Sequence, residues 1–349
     1  MKNASPPADG LQTAAYLTEP GRVELRQIPI PRPAAGQVVL HIERALAGGT
    51  DRKAFMRGHP QIPMPGVFGH RYAGTVAALG ENAPAFEIGQ PVMGVHSAPC
   101  LDCALCRKER WNLCPHVMRE KVLGAFAQYL CVPAAVARQN LFSRPASLSA
   151  QHAALLEPLA CVVHGLQMID WRGVDRVLVL GLGAMGLLFA QLLPCYTRAE
   201  KAGAGRRAAT LDLARRFGLN PVWHSDVSRL RDVPDARNFD CVLECTGNLQ
   251  AWEIAMDLAA PGGQVLFFGG LPRGTTLAVD SYRLHYEDLR LVGSFHFSPR
   301  DVARAREFLL SGQLELDSLI SGRFPLSELA HVMYRLREGE GIQYAIDPW

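Results

Sequence analysis

The tightest constraint on the fold is a change of texture inside one uncharged stretch. No charged residue occurs from Val177 to Thr197, a run about as long as a membrane span. It breaks into two patterns. Asp175–Leu180 (DRVLVL) is a short β-branched and leucine run, and Ala184–Leu193 (AMGLLFAQLL) is long enough for a helix. Gly181, Gly183 and Gly186 mark the junction and Pro194 ends the run. Strand, glycine turn and helix fit better than a membrane helix. The glycines tighten the turn and let backbone approach a pyrophosphate, which then sits on the helix N-terminus. Gly181, Leu182, Gly183, Ala184, Met185 and Gly186 are therefore expected to hold a dinucleotide.

The surroundings support that reading. Further strands are predicted at Asp240–Glu244 and Gln264–Phe268, with helices at Ala208–Phe217 and Gln250–Ala259 and the PGG of 261–263 closing the second helix. Apolar strands alternating with helices imply an α/β domain with a doubly wound, Rossmann-like parallel sheet. The first 150 residues differ: PIPRP at 29–33 and HPQIPMPG at 59–66 separate short runs such as Val38–Ile42 and Ala73–Leu79, a β-rich, loop-rich domain. Helices follow at Pro299–Ser311 and around Leu326–Arg337, and the last fifty or so residues are expected to rejoin the first domain. The predicted division is 1–156 with 297–349, and 157–296. At 349 residues, two domains are the ordinary expectation.

Charge excludes other classes. Lys and Arg number 36 against 33 Asp and Glu, a formal +3, too weak to argue for nucleic acid or an anionic membrane. The start, MKNASPPADG, is polar and Pro-rich and shows no secretory signal. Of nine cysteines, four fall at Cys100-x2-Cys103-x2-Cys106-x7-Cys114. Four soft thiolates on one loop close a tetrahedral zinc site with no open position, a structural rather than a catalytic site. An iron–sulfur cluster uses the same ligands, and a disulfide pair is disfavoured in a reducing compartment. Cys131, Cys161, Cys195, Cys241 and Cys245 lie in apolar contexts and read as small buried side chains. The expectation is a cytoplasmic protein without membrane or nucleic-acid partners.

Cofactor choice is set at the end of the second strand, where an acid would hold the ribose 2′-hydroxyl of NAD. Counting back from Arg215-Arg216-Phe217-Gly218 puts Gly205 there, followed by Arg206 and Arg207. A glycine leaves room for a 2′-phosphate and guanidinium groups bind it, so NADP(H) is expected. The alternative is that Glu200 is the acid, since EKAGAG has poor strand propensity and the register can shift.

GGTDRKAF at 48–55, FGHRYAGTV at 68–76, EPLACVVHG at 157–165, LFFGGLPRG at 266–274 and LHYEDLRLVGSFH at 284–296 stand in order with the glycine turn and the four-cysteine loop. Together they resemble the medium-chain dehydrogenase/reductase superfamily, in its sorbitol (iditol) and threonine dehydrogenase-like branch. The resemblance implies a GroES-like catalytic domain made from both chain ends, a Rossmann domain between them, and hydride transfer in the cleft. It also implies cofactor contacts at Cys245, Thr246, Gly269, Gly270 and Leu271, and a homodimer or homotetramer acting on a small molecule.

The sequence departs from the family where the zinc-using members hold catalytic metal. Their Cys-Gly-Thr-Asp motif has Gly48 in place of Cys, and their Gly-His-Glu reads Gly69-His70-Arg71. Only His70 and Glu157 survive. Glycine has no ligand atom and a guanidinium stays protonated and repels a dication. One structural zinc and no catalytic zinc is therefore expected. The resemblance makes Thr50 a proton relay and places Lys53 near the next relay group. Arg71 would stabilise an oxyanion or simply pair with Glu157, and His70 would be a general acid or a core histidine. Arg52, Lys53, Arg57 and His59 hint at an anionic substrate or a solvated loop face. The leading reading is an NADP(H)-dependent reductase of an activated C=C, C=N or C=O bond without catalytic zinc. The alternatives are a zinc-dependent polyol or sugar dehydrogenase with a rebuilt site and a non-catalytic NADPH-binding protein.

Overall fold

The computed structural model describes residues 10–224, 226–232 and 237–349. Most of the polar start of the sequence lies outside them. The chain divides into two compact units, Met1–Ala160 with Phe297–Trp349, and Cys161–His296. The first break falls within the helix Leu156–Gln167.

In the first unit Leu11–Glu19 pairs with Arg22–Pro29 and with Gly66–Val67 in a three-stranded sheet. A seven-stranded sheet runs Arg323–Pro325, Tyr344–Asp347, Val38–Ala47, Tyr72–Leu79, Pro91–Gly94, Leu141–Ser143, with Tyr129–Val132 also on Val38–Ala47. Val38, Val39 and Leu40 are all buried, as are Tyr72, Ala73 and Gly74. These strands are covered on both faces, which is why neither alternates cleanly in sequence. The C-terminal segment completes the sheet, since Tyr344, Ala345 and Ile346 pair antiparallel with Ala47, Leu46 and Ala45. Leu329, Val332, Met333 and Leu336 of the helix Leu329–Arg337 enter the same core as Leu40, Phe55 and Phe68. Ser298 and Asp301 cap Pro299–Leu310 reciprocally: Asp301 N donates to Ser298 Oγ (3.2 Å) and Ser298 N to Asp301 Oδ2 (2.7 Å).

The second unit holds a six-stranded parallel sheet in the order Asn220–Trp223, Glu200–Gly205, Arg176–Leu180, Phe239–Glu244, Ala259–Phe267, Arg290–Gly293. Helices Ala184–Leu192, Ala208–Arg216 and Leu249–Leu258 connect successive strands. Glu200–Gly205 is a strand despite its composition because it is paired on both sides. Its glycines are packed closely by leucines: a Cβ on Gly203 would lie 2.7 Å from Leu219 Cδ2, and one on Gly205 3.1 Å from Leu182 Cδ1. Packing by two leucines thus overrides propensity. Glu200 begins this strand and faces Arg176 at 3.6 Å, at the opposite end from Gly205.

Two expectations need correction. Pro261-Gly262-Gly263 does not close a helix; the helix ends at Leu258 and these residues belong to Ala259–Phe267, with Gly262 at φ +75°. Cys195 is exposed and Cys131, Cys161 and Cys245 are half-buried, leaving Cys241 as the one buried thiol of the five. Among the described residues no helix is long and apolar enough to cross a membrane.

Candidate active site

In the second unit the expected dinucleotide residues gather at the carboxyl ends of three neighbouring strands. Gly181–Gly186 follows Arg176–Leu180, Cys245 and Thr246 follow Phe239–Glu244, and Gly269, Gly270 and Leu271 follow Ala259–Phe267. The sheet order reverses between the first two, the switch point where such sheets leave a crevice. Gly181 sits at φ +102°, and a Cβ there would be 2.5 Å from Thr246 Cγ2. A Cβ on Gly186 would collide with the Gly181 carbonyl. Around Gly183, by contrast, nothing lies within 4 Å of a built Cβ, so the cradle is open above the start of Ala184–Leu192. That combination fits a pyrophosphate on a helix N-terminus. Gly205 ends its strand, Arg206 is exposed beside it, and Arg207 stands at the N-cap position of Ala208–Arg216.

Sequence reasoning missed Glu244, which is fully buried at the end of its strand. Its Oε1 accepts from Thr246 N (2.7 Å), Gly247 N (3.1 Å) and the Thr246 hydroxyl, so it fixes the turn facing Gly181. Burial raises its carboxyl above the usual value against the pull of these donors. No motif in the glycine turn points to it.

In the first unit Cys100, Cys103, Cys106 and Cys114 have their sulfurs within 4.8 Å of one another. Sγ separations are 4.0 Å for Cys100–Cys106, 3.9 Å for Cys103–Cys114 and 3.6 Å for Cys100–Cys114. Tetrahedral zinc with Zn–S of about 2.3 Å needs sulfurs roughly 3.8 Å apart. Backbone N–H groups of Asp102 and Cys103 pull the Cys100 thiol down to about 6, whereas burial pushes Cys106 up to about 12. The loop thus offers a thiolate to an incoming cation, and the donor set fits zinc. Among the described residues it is the one group of three or more such side chains so closely placed.

His70, Arg71 and Glu157 come together in the same unit. Gly69-His70-Arg71 leads into Tyr72–Leu79 and is pinned by Gly124 N and Ala125 N on Gly69 O (3.0 and 3.1 Å) and by Leu46 N on Arg71 O (3.1 Å). Glu157 comes from the first turn of Leu156–Gln167. Arg71 Nε donates to Glu157 Oε2 at 2.9 Å, and the two residues are only 6% and 5% exposed. His70 lies between two carboxylates, with Nδ1 3.5 Å from Asp51 Oδ1 and Nε2 3.8 Å from Glu157 Oε2. Asp51 is held in turn by Gly48 N donating to Oδ2 (3.0 Å). A Cβ on Gly48 would stand 2.7 Å from Arg71 Nη1, so the guanidinium fills the space a larger residue would need. Thr50 and Lys53 lie on the same helix as Asp51, Gly49–Arg57.

Three more residues of this cluster escaped the sequence. Asp51 was within a quoted motif but had no assigned part. His96, following Pro91–Gly94, has its ring 5.2 Å from that of His70 and Nδ1 3.7 Å from Glu157 Oε1. Gln343, wholly buried, accepts from Arg71 Nη1 at 3.3 Å across 272 residues of chain. The arrangement is a fixed cation beside a carboxylate and two imidazoles. Such a set can stabilise a developing oxyanion and move a proton.

Residues 34–140 match the family model for the alcohol dehydrogenase GroES-like domain, and 181–311 that for zinc-binding dehydrogenases. A D-altritol 5-dehydrogenase of Agrobacterium fabrum is 31% identical over 322 residues, covering 90% of this chain and 93% of its own. An L-threonine 3-dehydrogenase of Mesorhizobium japonicum is 27% identical over 338 residues, covering 94% and 96%. A Sinorhizobium meliloti 1021 protein solved bound to NADP superposes with a TM-score of 0.85 at 28% identity, covering 97% of this chain and 100% of its own. The match over both units, with the parallel sheet and the GroES-like domain in their places, makes this chain a member of the zinc-type alcohol dehydrogenase-like medium-chain dehydrogenase/reductase superfamily and an oxidoreductase of that type.

Proposed function

We propose that this oxidoreductase uses NADP(H) and reduces an activated C=C, C=N or C=O bond without a catalytic metal ion. The observation that carries the reading is the close approach of Arg71 to Gly48, with Nη1 2.7 Å from where a Gly48 Cβ would stand. A thiolate ligand and a dication cannot share that space with a guanidinium tied to Glu157 and Gln343. Arg71 instead supplies the fixed positive charge. It stabilises negative charge that develops on the substrate, as an oxyanion hole does. His70, between Asp51 and Glu157, supplies or receives the proton, with Thr50 as relay. The cation favours an enolate, alkoxide or carboxylate partner over an iminium ion.

The dinucleotide, when bound, supplies the hydride. Gly205, Arg206 and Arg207 support a 2′-phosphate, since the strand end has no acid and a glycine leaves room. The bound NADP of the Sinorhizobium meliloti protein supports the same choice. The four cysteines support a single structural zinc. Reduction is the inferred direction because cells hold this cofactor mainly reduced.

Zinc per chain, measured by elemental analysis on protein purified without added metal, tests the reading together with NADPH oxidation against enones, iminium compounds and keto acids. One zinc with turnover of any of them is expected. Two zincs, with oxidation of polyols, would overturn the metal-free centre; no turnover of any acceptor would leave a protein that only binds the cofactor.

A further inference from the structure

Two strands of the second unit end side by side where cofactor choice is made. Gly205 closes Glu200–Gly205 opposite Trp223, the last residue of Asn220–Trp223, and the ladder runs one bond further: His224 N donates to Gly205 O at 3.2 Å. His224 thus stands next to the step from Gly205 to Arg206, on the side away from Arg176–Leu180. The same corner is tied to the glycine turn by Gly181 N on Ala204 O (3.0 Å) and by Leu182, whose side chain lies against Gly205.

The pattern of glycine and arginines does not single out His224, and its surroundings are not those of an ordinary core histidine. It is only 8% exposed, yet among the described residues its Nδ1 is enclosed with no hydrogen-bond partner. Buried ring nitrogens are usually met. Asp226, two positions on, is engaged in its own loop, where Oδ1 accepts from Ser228 N at 2.9 Å. Burial, and then the charge of Arg206, hold the imidazole below its ordinary value, so at neutral pH the ring is uncharged and carries one proton. An enclosed N–H without an acceptor costs more than an enclosed lone pair, which puts that proton on Nε2. His224 is therefore a neutral N–H donor fixed beside the end of the strand that Arg206 follows.

We propose that His224 donates its Nε2 proton to the adenosine 2′-phosphate of NADP(H), as a specificity-determining partner of Arg206. The proposal rests on the NADP(H) reading above and adds to it a contact from the neighbouring strand. A neutral donor suits the place. Another cation beside Arg206 would destabilise the free protein, whereas an imidazole N–H gains the strength of a charge-assisted bond only once the phosphate is present.

Titration calorimetry of the zinc-loaded full chain with adenosine 2′,5′-bisphosphate and with 5′-AMP tests it, since the two probes differ only in the 2′-phosphate and neither needs turnover. The parent should prefer the bisphosphate by about 100-fold or more. His224→Leu should cut that preference about tenfold with little change for 5′-AMP. His224→Gln, whose amide N–H can reach the place of the Nε2 proton, should keep the preference to within a fewfold. A Leu variant that retains the parent's full preference would overturn the His224 contact and leave the NADP(H) reading standing. Equal losses for both probes would reduce His224 to packing and overturn the contact as well. A parent that binds both probes alike would instead sink the NADP(H) reading, and the contact with it.

Discussion

The four-cysteine loop and the Arg71 cluster lie in the same unit yet are built in opposite ways. The loop takes its four sulfurs from 15 consecutive positions, Cys100 to Cys114, and closes them with local N–H to sulfur contacts such as Cys103 N on Cys100 Sγ (3.4 Å). The Arg71 cluster draws on Gly48, Asp51, His70, His96, Glu157 and Gln343. It has a charged pair and an amide buried together, so each member depends on the others being present. A loop of one short segment tolerates change elsewhere. A cluster assembled from five segments registers change in any of them.

The largest expected effect follows from that dependence. Arg71→Met takes the guanidinium away from the buried Glu157 carboxylate, a loss of about 3–5 kcal/mol in urea unfolding. NADPH oxidation should fall at least ~100-fold, as when an oxyanion-stabilising group is removed. The double variant Arg71→Met/Glu157→Leu sharpens the point, because it should regain most of the stability and none of the activity. A single variant as stable as the parent would break the contrast with the loop.

Cys114→Ser is the complementary test. It should take zinc from one per chain to none and expose the 100–114 loop to proteolysis, while every Arg71 variant keeps its zinc. Loss of zinc in Arg71→Met would mean that the two centres are not independent. In the other unit, Arg206→Ala should weaken NADPH by about 10- to 100-fold with little change for NADH, matching one charge-assisted phosphate contact. Equal losses for both would remove the 2′-phosphate role. The smallest effect is expected at Gly48. Gly48→Ala puts a methyl 2.7 Å from Arg71 Nη1, which must shift at a cost of about 1–3 kcal/mol, with kcat reduced more than substrate KM is changed.

Legibility followed the same division. The glycine turn could be read because strand, turn and helix occupy neighbouring residues, and two of its three glycines stand where a side chain has no room. Gly181 meets Thr246 and Gly186 meets the Gly181 carbonyl. Gly205 was placed correctly at a strand end by counting from a helix, although the strand itself looked doubtful. Pairing on both sides and the leucines over Gly203 and Gly205 settled what propensity left open. PGG at 261–263 was misread as a stop because proline and glycine are local signals, whereas these residues fall in the irregularity between the pairs Phe239–Ala259 and Cys241–Gln264, where Gly262 takes φ +75°.

His70, Arg71 and Glu157 were named from motifs, but nothing local connects Arg71 with Gln343 or His70 with His96. Chain order, spacing and residue type by themselves determined the parallel sheet with its glycine turn and the four-cysteine loop, and singled out Gly48 and Arg71 as departures from the family's motifs. Tertiary structure alone decided what surrounds Arg71. A buried guanidinium is stable only where its hydrogen-bond partners converge, and Glu157 and Gln343 reach it across 86 and 272 residues, distances over which only packing of the whole unit can act.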